Sequence, residues 1–65
     1  MTGRVVRIIK DKGFGFIRET DSKQEYFFHR SGLKNISFDE IEEGQDVTFE
    51  DVDGPKGLRA EDIYV

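Results

Sequence analysis

Two short segments of the sequence place aromatic rings beside an ammonium group and an imidazole. In KGFGFIRE, Phe14 and Phe16 alternate with glycines just after Lys12, and in EYFFH, Phe27 and His29 are two residues apart. Flat rings that face solvent can stack on nucleic-acid bases, which stabilises binding by about 1–3 kcal/mol per base. A neighbouring ammonium group can contact a phosphate. These residue types therefore suit the binding of a nucleic-acid strand, provided that the rings point outward.

Strand alternation leaves two arrangements of these rings open. Phe14 and Phe16 share one face of an extended strand, and Phe27 and His29 share one face of another. If this set forms the core, as most phenylalanines do, His29 is buried with it and both ring nitrogens need partners. If this set lies outside, the core takes the residues of the opposite faces, Ile17, Tyr26 and Phe28. The pattern alone favours neither arrangement.

Catalysis and metal binding find little support in the sequence. It contains no cysteine, and His29 is its only histidine, so the usual zinc-ligand sets are missing. Ser31 follows His29 by two residues, but a nucleophile also needs a third, orienting group, which the sequence does not specify. The carboxylates of Asp39–Glu43 are typical of a solvated loop. We expect no enzymatic activity, no cofactor, no metal and no small-molecule substrate.

The charge of the chain is divided unevenly between its halves. Residues 1–34 carry eight basic and four acidic side chains, a balance of +4, whereas residues 35–65 carry two basic and ten acidic, a balance of −8, which together give the net charge of −4. Such asymmetry is typical of a protein with one charged working surface, although chance clustering on a solvated surface fits it equally well.

The elements that must position these residues are short strands. Alternating and β-branched segments predict strands over residues 3–10, 13–19, 24–29, 45–52 and 58–65, with a hairpin turn at Asp53–Gly57. Ser37–Glu40 has the spacing of a helix-capping box and Gly44 suits a helix end, but this segment has room for one helical turn at most. Five strands with one longer connection predict an all-β fold, a five-stranded antiparallel barrel.

Length and hydropathy predict a single small domain over residues 1–65. No segment has the apolar run of a signal peptide or a membrane span, so we expect a cytoplasmic protein that does not contact membranes. A small closed barrel is most simply a monomer.

Nearly the whole chain resembles the cold-shock domain family. KGFGFI, Lys12–Ile17, matches the first ribonucleoprotein motif of that family, and FFH, Phe27–His29, stands in the place of the second. The similarity extends to Ser31–Leu33, to Glu42–Gln45 and to the glycines of the last hairpin. RNA-recognition motifs share a related pattern, but they need two helices and carry their other aromatic motif upstream. The resemblance implies an OB-fold barrel that binds single-stranded RNA or DNA.

The resemblance also implies roles for individual positions. The rings expected to stack on bases are Phe14, Phe16, Phe27, His29 and Phe38. Lys12 and Lys56 are expected to contact phosphates or base edges. Stacking that tolerates any sequence holds bases unpaired, which is typical of an RNA chaperone or a regulator of transcription or translation.

Two departures from the family pattern change the expected character of binding. Arg7 stands where the family usually has a tryptophan, and Arg30 where it usually has a phenylalanine. Val6 occupies a nearby position of the first strand where the family has a lysine. Guanidinium groups stack on bases and also contact phosphate, so Arg7 and Arg30 join the expected binding residues. We expect weaker stacking and a steeper salt dependence than is usual in the family. The alternative is a divergent protein-interaction module that has lost general nucleic-acid binding.

Overall fold

The computed structural model describes residues 1–54 and 57–65 and consists mainly of β-strands. The strands, numbered in chain order, are β1 (Thr2–Ile9), β2 (Phe14–Glu19), β3 (Glu25–His29), β4 (Asp46–Gly54) and β5 (Gly57–Tyr64). The predicted all-β class is confirmed, and every strand boundary lies within two residues of its predicted position.

The strands close into a barrel in the order β1-β2-β3-β5-β4. Antiparallel pairing joins β1 to β2, β2 to β3, β1 to β4 and β4 to β5. The seam between β3 and β5 is parallel instead, and there Phe27 pairs with Arg59. Closure leaves the sheet without a long free edge, which limits unwanted strand pairing in a domain of this size.

Burial decides between the two arrangements that alternation left open. The buried apolar residues are Val5, Ile17, Tyr26, Phe28, Ile41, Val47, Phe49, Ala60 and Ile63. Ile17 and Phe28 are completely buried, whereas Phe14, Phe16 and Phe27, on the opposite faces of their strands, are only partly buried. The core is therefore built from the alternative set, and the rings of the two aromatic segments lie on the outer surface of the barrel.

Gly15 is needed for close packing between the inner residues of neighbouring strands. A Cβ atom at this position would lie 2.5 Å from the carbonyl oxygen of Arg7 and 2.7 Å from Cε1 of Phe28. Contacts that short do not occur in real proteins without movement of the backbone or of the ring. The alternation of phenylalanine with glycine thus places the rings on the outer face of β2. On the inner face, Gly15 occupies a position that has no space for a side chain.

A β-bulge interrupts the regular alternation of β1. Val5 pairs with Ile17 and Arg7 pairs with Phe16, so Val6 is an extra residue on β1 with no counterpart on β2. Without the bulge, Arg7 would share the inward face of the buried Val5. Because the bulge shifts the phase by one residue, Arg7 lies on the outer surface.

The long connection between β3 and β4 forms a hydrogen-bonded turn at Ser37–Glu40, and not the single helical turn for which the sequence has room. The amide of Glu40 donates to the carbonyl oxygen of Ser37 at 3.0 Å, and the Ser37 hydroxyl donates to the Glu40 carboxylate at 3.0 Å. This stretch is tied to the core by Ile41, which is 1% exposed.

The helical turns are elsewhere, as 3-10 helices at Lys10–Lys12 and Arg30–Gly32, each directly after a strand. Short 3-10 helices are frequent in connecting segments, and the sequence pattern did not reveal these two. Within residues 1–54 and 57–65, no helix is long and apolar enough to span a membrane.

Glu19 is a buried carboxylate that holds the β2–β3 turn. Glu19 is only 6% exposed, and its carboxylate accepts hydrogen bonds from the amides of Asp21 at 3.0 Å and Ser22 at 2.9 Å. These amides stabilise the charged form, so the pKa of Glu19 lies below its ordinary value of 4.5.

Candidate nucleic-acid interface

Three phenylalanine rings form one contiguous cluster on the outer surface of β2 and β3. The ring centroids of Phe14 and Phe16 are 6.0 Å apart, those of Phe14 and Phe27 5.4 Å, and those of Phe16 and Phe27 6.1 Å. Phe14 and Phe27 are inclined at 39° to each other, whereas Phe16 is nearly perpendicular to Phe14, at 88°. These rings hold one another in place before any ligand arrives, which lowers the entropy cost of binding.

His29 extends this cluster along β3, where it pairs directly with Phe14. Its Nδ1 accepts from the amide of Ser31 at 3.2 Å and lies 2.9 Å from the Ser31 hydroxyl oxygen. Because Nδ1 acts as an acceptor, the neutral ring carries its proton on Nε2, which is left to donate to a ligand. We call the surface formed by Phe14, Phe16, Phe27 and His29 the aromatic face.

Arg7 borders the aromatic face on β1. It pairs directly with Phe16 across the β1–β2 ladder, and directly paired residues on one face have Cβ atoms about 4.5–5.5 Å apart. The guanidinium thus lies where a base or phosphate next to Phe16 can reach it. The bulge at Val6 is what brings Arg7 to this surface.

Lys12 and Arg30 lie at the end of the aromatic face that carries Phe14 and His29. Gly13 ends the Lys10–Lys12 helix with a φ of 73°, a left-handed conformation that glycine adopts readily. Its carbonyl accepts from the amide of Arg30 at 2.9 Å, and a Cβ at Gly13 would lie 3.2 Å from Cδ of Arg30. Gly13 therefore makes space for the stem of Arg30 beside Lys12.

One predicted site residue, Phe38, is not part of this cluster. Phe38 is partly buried against the core, and its ring pairs with that of Phe28 at a centroid distance of 6.4 Å and an angle of 58°. Lys56 lies outside the described residues, so its predicted role stays a prediction.

Arg59 is a residue of this surface that sequence reasoning missed. Its Cζ lies 5.9 Å from the centroid of the Phe27 ring, which is cation–π geometry. Its Nε forms an ion pair with the Glu61 carboxylate but is aimed badly for a hydrogen bond, so this buried nitrogen has no hydrogen-bond partner within the described part of the chain. The signal is non-local, because only the β3–β5 pairing brings Arg59 to Phe27.

A small closed five-stranded barrel with an aromatic outer face is the architecture of OB-fold domains. Comparison with known proteins gives the family. The model of the "Cold-shock" DNA-binding domain matches residues 1–65. The chain belongs to the cold-shock domain family, a family of nucleic-acid-binding proteins.

The curated relatives support the same assignment over almost their full length. Cold shock-like protein CspA of Shewanella violacea is 40% identical over 62 residues, which cover 95% of this chain and 89% of the relative. Cold shock-like protein CspB of Escherichia coli is 40% identical over 65 residues, with coverages of 100% and 92%.

A solved structure, described as Drosophila Unr CSD456, superposes with a TM-score of 0.77 at 25% identity. The match covers 97% of this chain and 25% of the Drosophila chain, in agreement with the OB-fold barrel.

Proposed function

We propose that this protein binds single-stranded RNA or DNA by stacking bases on the aromatic face, and that it acts as an RNA chaperone or a regulator of transcription or translation. Stacking on rings requires bases that are not paired, so the complex opposes secondary structure in the bound strand. Several stacked bases at about 1–3 kcal/mol each, less the cost of ordering the strand, correspond to dissociation constants between about micromolar and nanomolar.

The observation that carries this proposal is the outward placement of three mutually packed phenylalanine rings. A 65-residue domain gains more stability from a buried phenylalanine than from an exposed one, because apolar burial is its main source of stability. Leaving Phe14, Phe16 and Phe27 at the surface is therefore costly unless they meet a ligand. Apolar clusters at the surface, such as these partly exposed rings, mark binding sites.

The charged groups around the rings favour nucleic acid over a protein partner. Arg7 and Arg59 border the aromatic face on its two sides, and Lys12 and Arg30 lie at one end. Each phosphate contact that they make adds close to 0.7 to the slope of log affinity against log salt for a single strand. With arginines in place of two aromatic residues, binding relies more on charge and less on stacking.

Part of the acidic half of the chain lies away from the aromatic face, although Glu61 is paired with Arg59 at its edge. Exposed carboxylates follow one another on β4, at Glu50, Asp51 and Asp53, on a strand that pairs with β1 and β5 and not with β2 or β3. Their charge repels phosphate from that side of the barrel. The nucleic-acid strand is in this way directed towards the aromatic face, even though the net charge of the protein is −4.

Fluorescence anisotropy with a labelled single-stranded oligopyrimidine tests the proposal. The oligonucleotide is longer than the roughly 4–16 nucleotides that an OB-fold covers, and the same sequence as a duplex serves as a control. We expect the single strand to bind, the duplex to bind far more weakly, and the Phe14→Ala/Phe27→Ala double variant to lose most of the affinity.

Tyr64→Ala is the matched protein control, because Tyr64 is an aromatic residue of β5 that is 48% exposed and lies outside the aromatic face. Its affinity is expected to equal that of the wild type. If the wild type fails to bind at tens of micromolar in low salt, the proposal is wrong, and the aromatic face becomes a candidate surface for a protein partner.

A further inference from the structure

The outer surface that carries the aromatic face continues into a basic cleft. Along β2, the outward residues are Phe14, Phe16 and then Arg18, two residues apart, which is about 7 Å of strand per step. Arg4 of β1 pairs directly with Arg18, as Arg7 pairs with Phe16. The next row of the surface after Arg7 and Phe16 is therefore a pair of arginines.

Both arginines line a cleft of about 340 Å³. Val6, the extra residue of the β-bulge, lines it together with Lys23 of the β2–β3 turn. A bulge bends its strand, and here the bulged residue itself forms part of the wall of the cleft. We call this site the arginine cleft.

Two carboxylates, Glu19 and Asp46, also line the arginine cleft, so its three basic side chains leave it a formal balance of +1. Glu19 accepts from two turn amides, and Asp46 accepts from Nε of Arg4 at 3.0 Å. Arg18 contributes only Nη2 to its ion pair with Glu25, at 2.9 Å. Each guanidinium has five N–H donors, so both arginines retain donors for a second acceptor.

The placement of two like charges directly opposite each other also points to an anion. Like charges directly opposite each other destabilise a pair of strands, and here the directly paired Asp46 and Glu25 offset part of that repulsion. Asp46 and Glu25 lie on the two outer sides of the pair, with Arg4 64% and Arg18 49% exposed. Guanidinium groups on neighbouring strands can both donate to the oxygens of one phosphate.

We propose that the arginine cleft binds a backbone phosphate of the single strand where the strand leaves the aromatic face. This inference rests on the proposed function and adds a direction to it. The strand runs from Lys12 and Arg30 at one end, over the rings, to Arg4 and Arg18 at the other. The protein therefore binds one nucleotide more than the aromatic face alone would bind, namely the nucleotide that carries this phosphate.

A length series of labelled oligothymidylates, from about 4 to 16 nucleotides, tests the inference. For the wild type, we expect the affinity to rise in a step at the length that first reaches the arginine cleft. Arg4→Gln and Arg18→Gln each remove that step, weakening the longer complexes about two- to fivefold, and each lowers their salt slope by close to 0.7. Neither variant changes the affinity of the shortest oligonucleotide that binds.

Lys34→Gln is the matched control, because it removes one positive charge that is ion-paired at the surface, with Asp62 at 3.5 Å, and it does not line the cleft. It should keep the step. The inference is overturned if the step persists in both arginine variants, or if Lys34→Gln removes it equally, which would indicate a general effect of net charge. Absence of binding at every length would overturn the proposed function itself, and the inference with it.

Discussion

Arg7 and Phe16 are direct cross-strand partners on the outer surface of the barrel, one step beyond the β-bulge at Val6. This pairing explains how an arginine can take the place of an aromatic residue at the edge of the aromatic face. A ring at this position would add a stacking surface, whereas the guanidinium adds a permanent charge and five donors. The character of binding, aromatic or electrostatic, is therefore set in part by one side chain.

Replacing Arg7 by tryptophan should convert charge-dependent binding into stacking. We expect Arg7→Trp to tighten single-strand binding about fivefold or more, because one stacked base contributes about 1–3 kcal/mol. The salt slope should fall by close to 0.7 with the loss of one phosphate contact. Anisotropy titrations at several salt concentrations measure both quantities. An unchanged slope would show that Arg7 does not contact the strand.

Substitution of Gly15 should destabilise the fold. Gly15→Ala places a Cβ 2.5 Å from the Arg7 carbonyl oxygen, so β1 or the Phe28 ring must move. We expect a loss of about 1–3 kcal/mol or more, out of about 3–10 kcal/mol for a chain of 65 residues. Urea unfolding measures it.

Gly32→Ala is the control for that experiment, since Gly32 is also buried but its added Cβ meets nothing closer than 3.6 Å. We expect its urea midpoint to stay close to that of the wild type. Equal losses at both glycines would contradict the close-packing account of Gly15.

The stability of the fold should depend on pH through Glu19. Its pKa is lowered in the folded protein by the amides of Asp21 and Ser22. The carboxylate therefore contributes stability that is fully present above the ordinary glutamate value of 4.5 and is lost as the pH falls through the lower, folded-state pKa. Glu19→Gln should be less stable than the wild type at neutral pH, and this difference should shrink towards acid pH.

Urea midpoints at a series of pH values between about 2 and 7 measure the contribution of Glu19. Glu42→Gln is the matched control, because Glu42 is an exposed glutamate of the connection before β4. Its difference from the wild type should stay small throughout. If the urea midpoints of Glu19→Gln and the wild type differ by the same amount at every pH, the charge of Glu19 does not hold the turn.

Arg59 and Glu61 should affect binding in opposite directions. Arg59→Gln removes the guanidinium over Phe27, so the affinity and the salt slope should both fall. Glu61→Gln frees Arg59 from its ion pair, so both should rise. Asp62→Asn removes the same charge one residue further along, from a carboxylate paired with Lys34, and should have the smaller effect. If Glu61→Gln and Asp62→Asn raise the affinity equally, the effect comes from the net charge of the protein and not from release of Arg59.

The local sequence pattern predicted the strands. The bulge in β1 and the approach of Arg59 to Phe27 depend on cross-strand pairing, which that pattern does not contain. Residue types and alternation gave the strand limits within two residues, and they reduced the position of the rings to two arrangements. Alternation could not reveal the bulge at Val6, because a bulge is defined by the partner strand. The parallel seam that brings Arg59 to Phe27 is also non-local.

Buried residues in irregular segments were the other features that the sequence did not reveal. Ile41 belongs to the core although it lies in a connection with no periodic pattern. Glu19 lies among the inward residues of β2, where a carboxylate is tolerated because the following turn satisfies it with two amides. Both depend on the path of the chain between strands, which propensity alone does not specify.

The central claim, that bases stack on the aromatic face, is tested most directly by NMR of the phenylalanine rings. A protein with ¹³C-labelled rings is titrated with an unlabelled oligothymidylate. The account predicts ring-current shifts for Phe14, Phe16 and Phe27, with little change for Phe28 and Phe49, which are buried and serve as internal controls. Formation of the complex without shifts at the three outer rings would contradict the account.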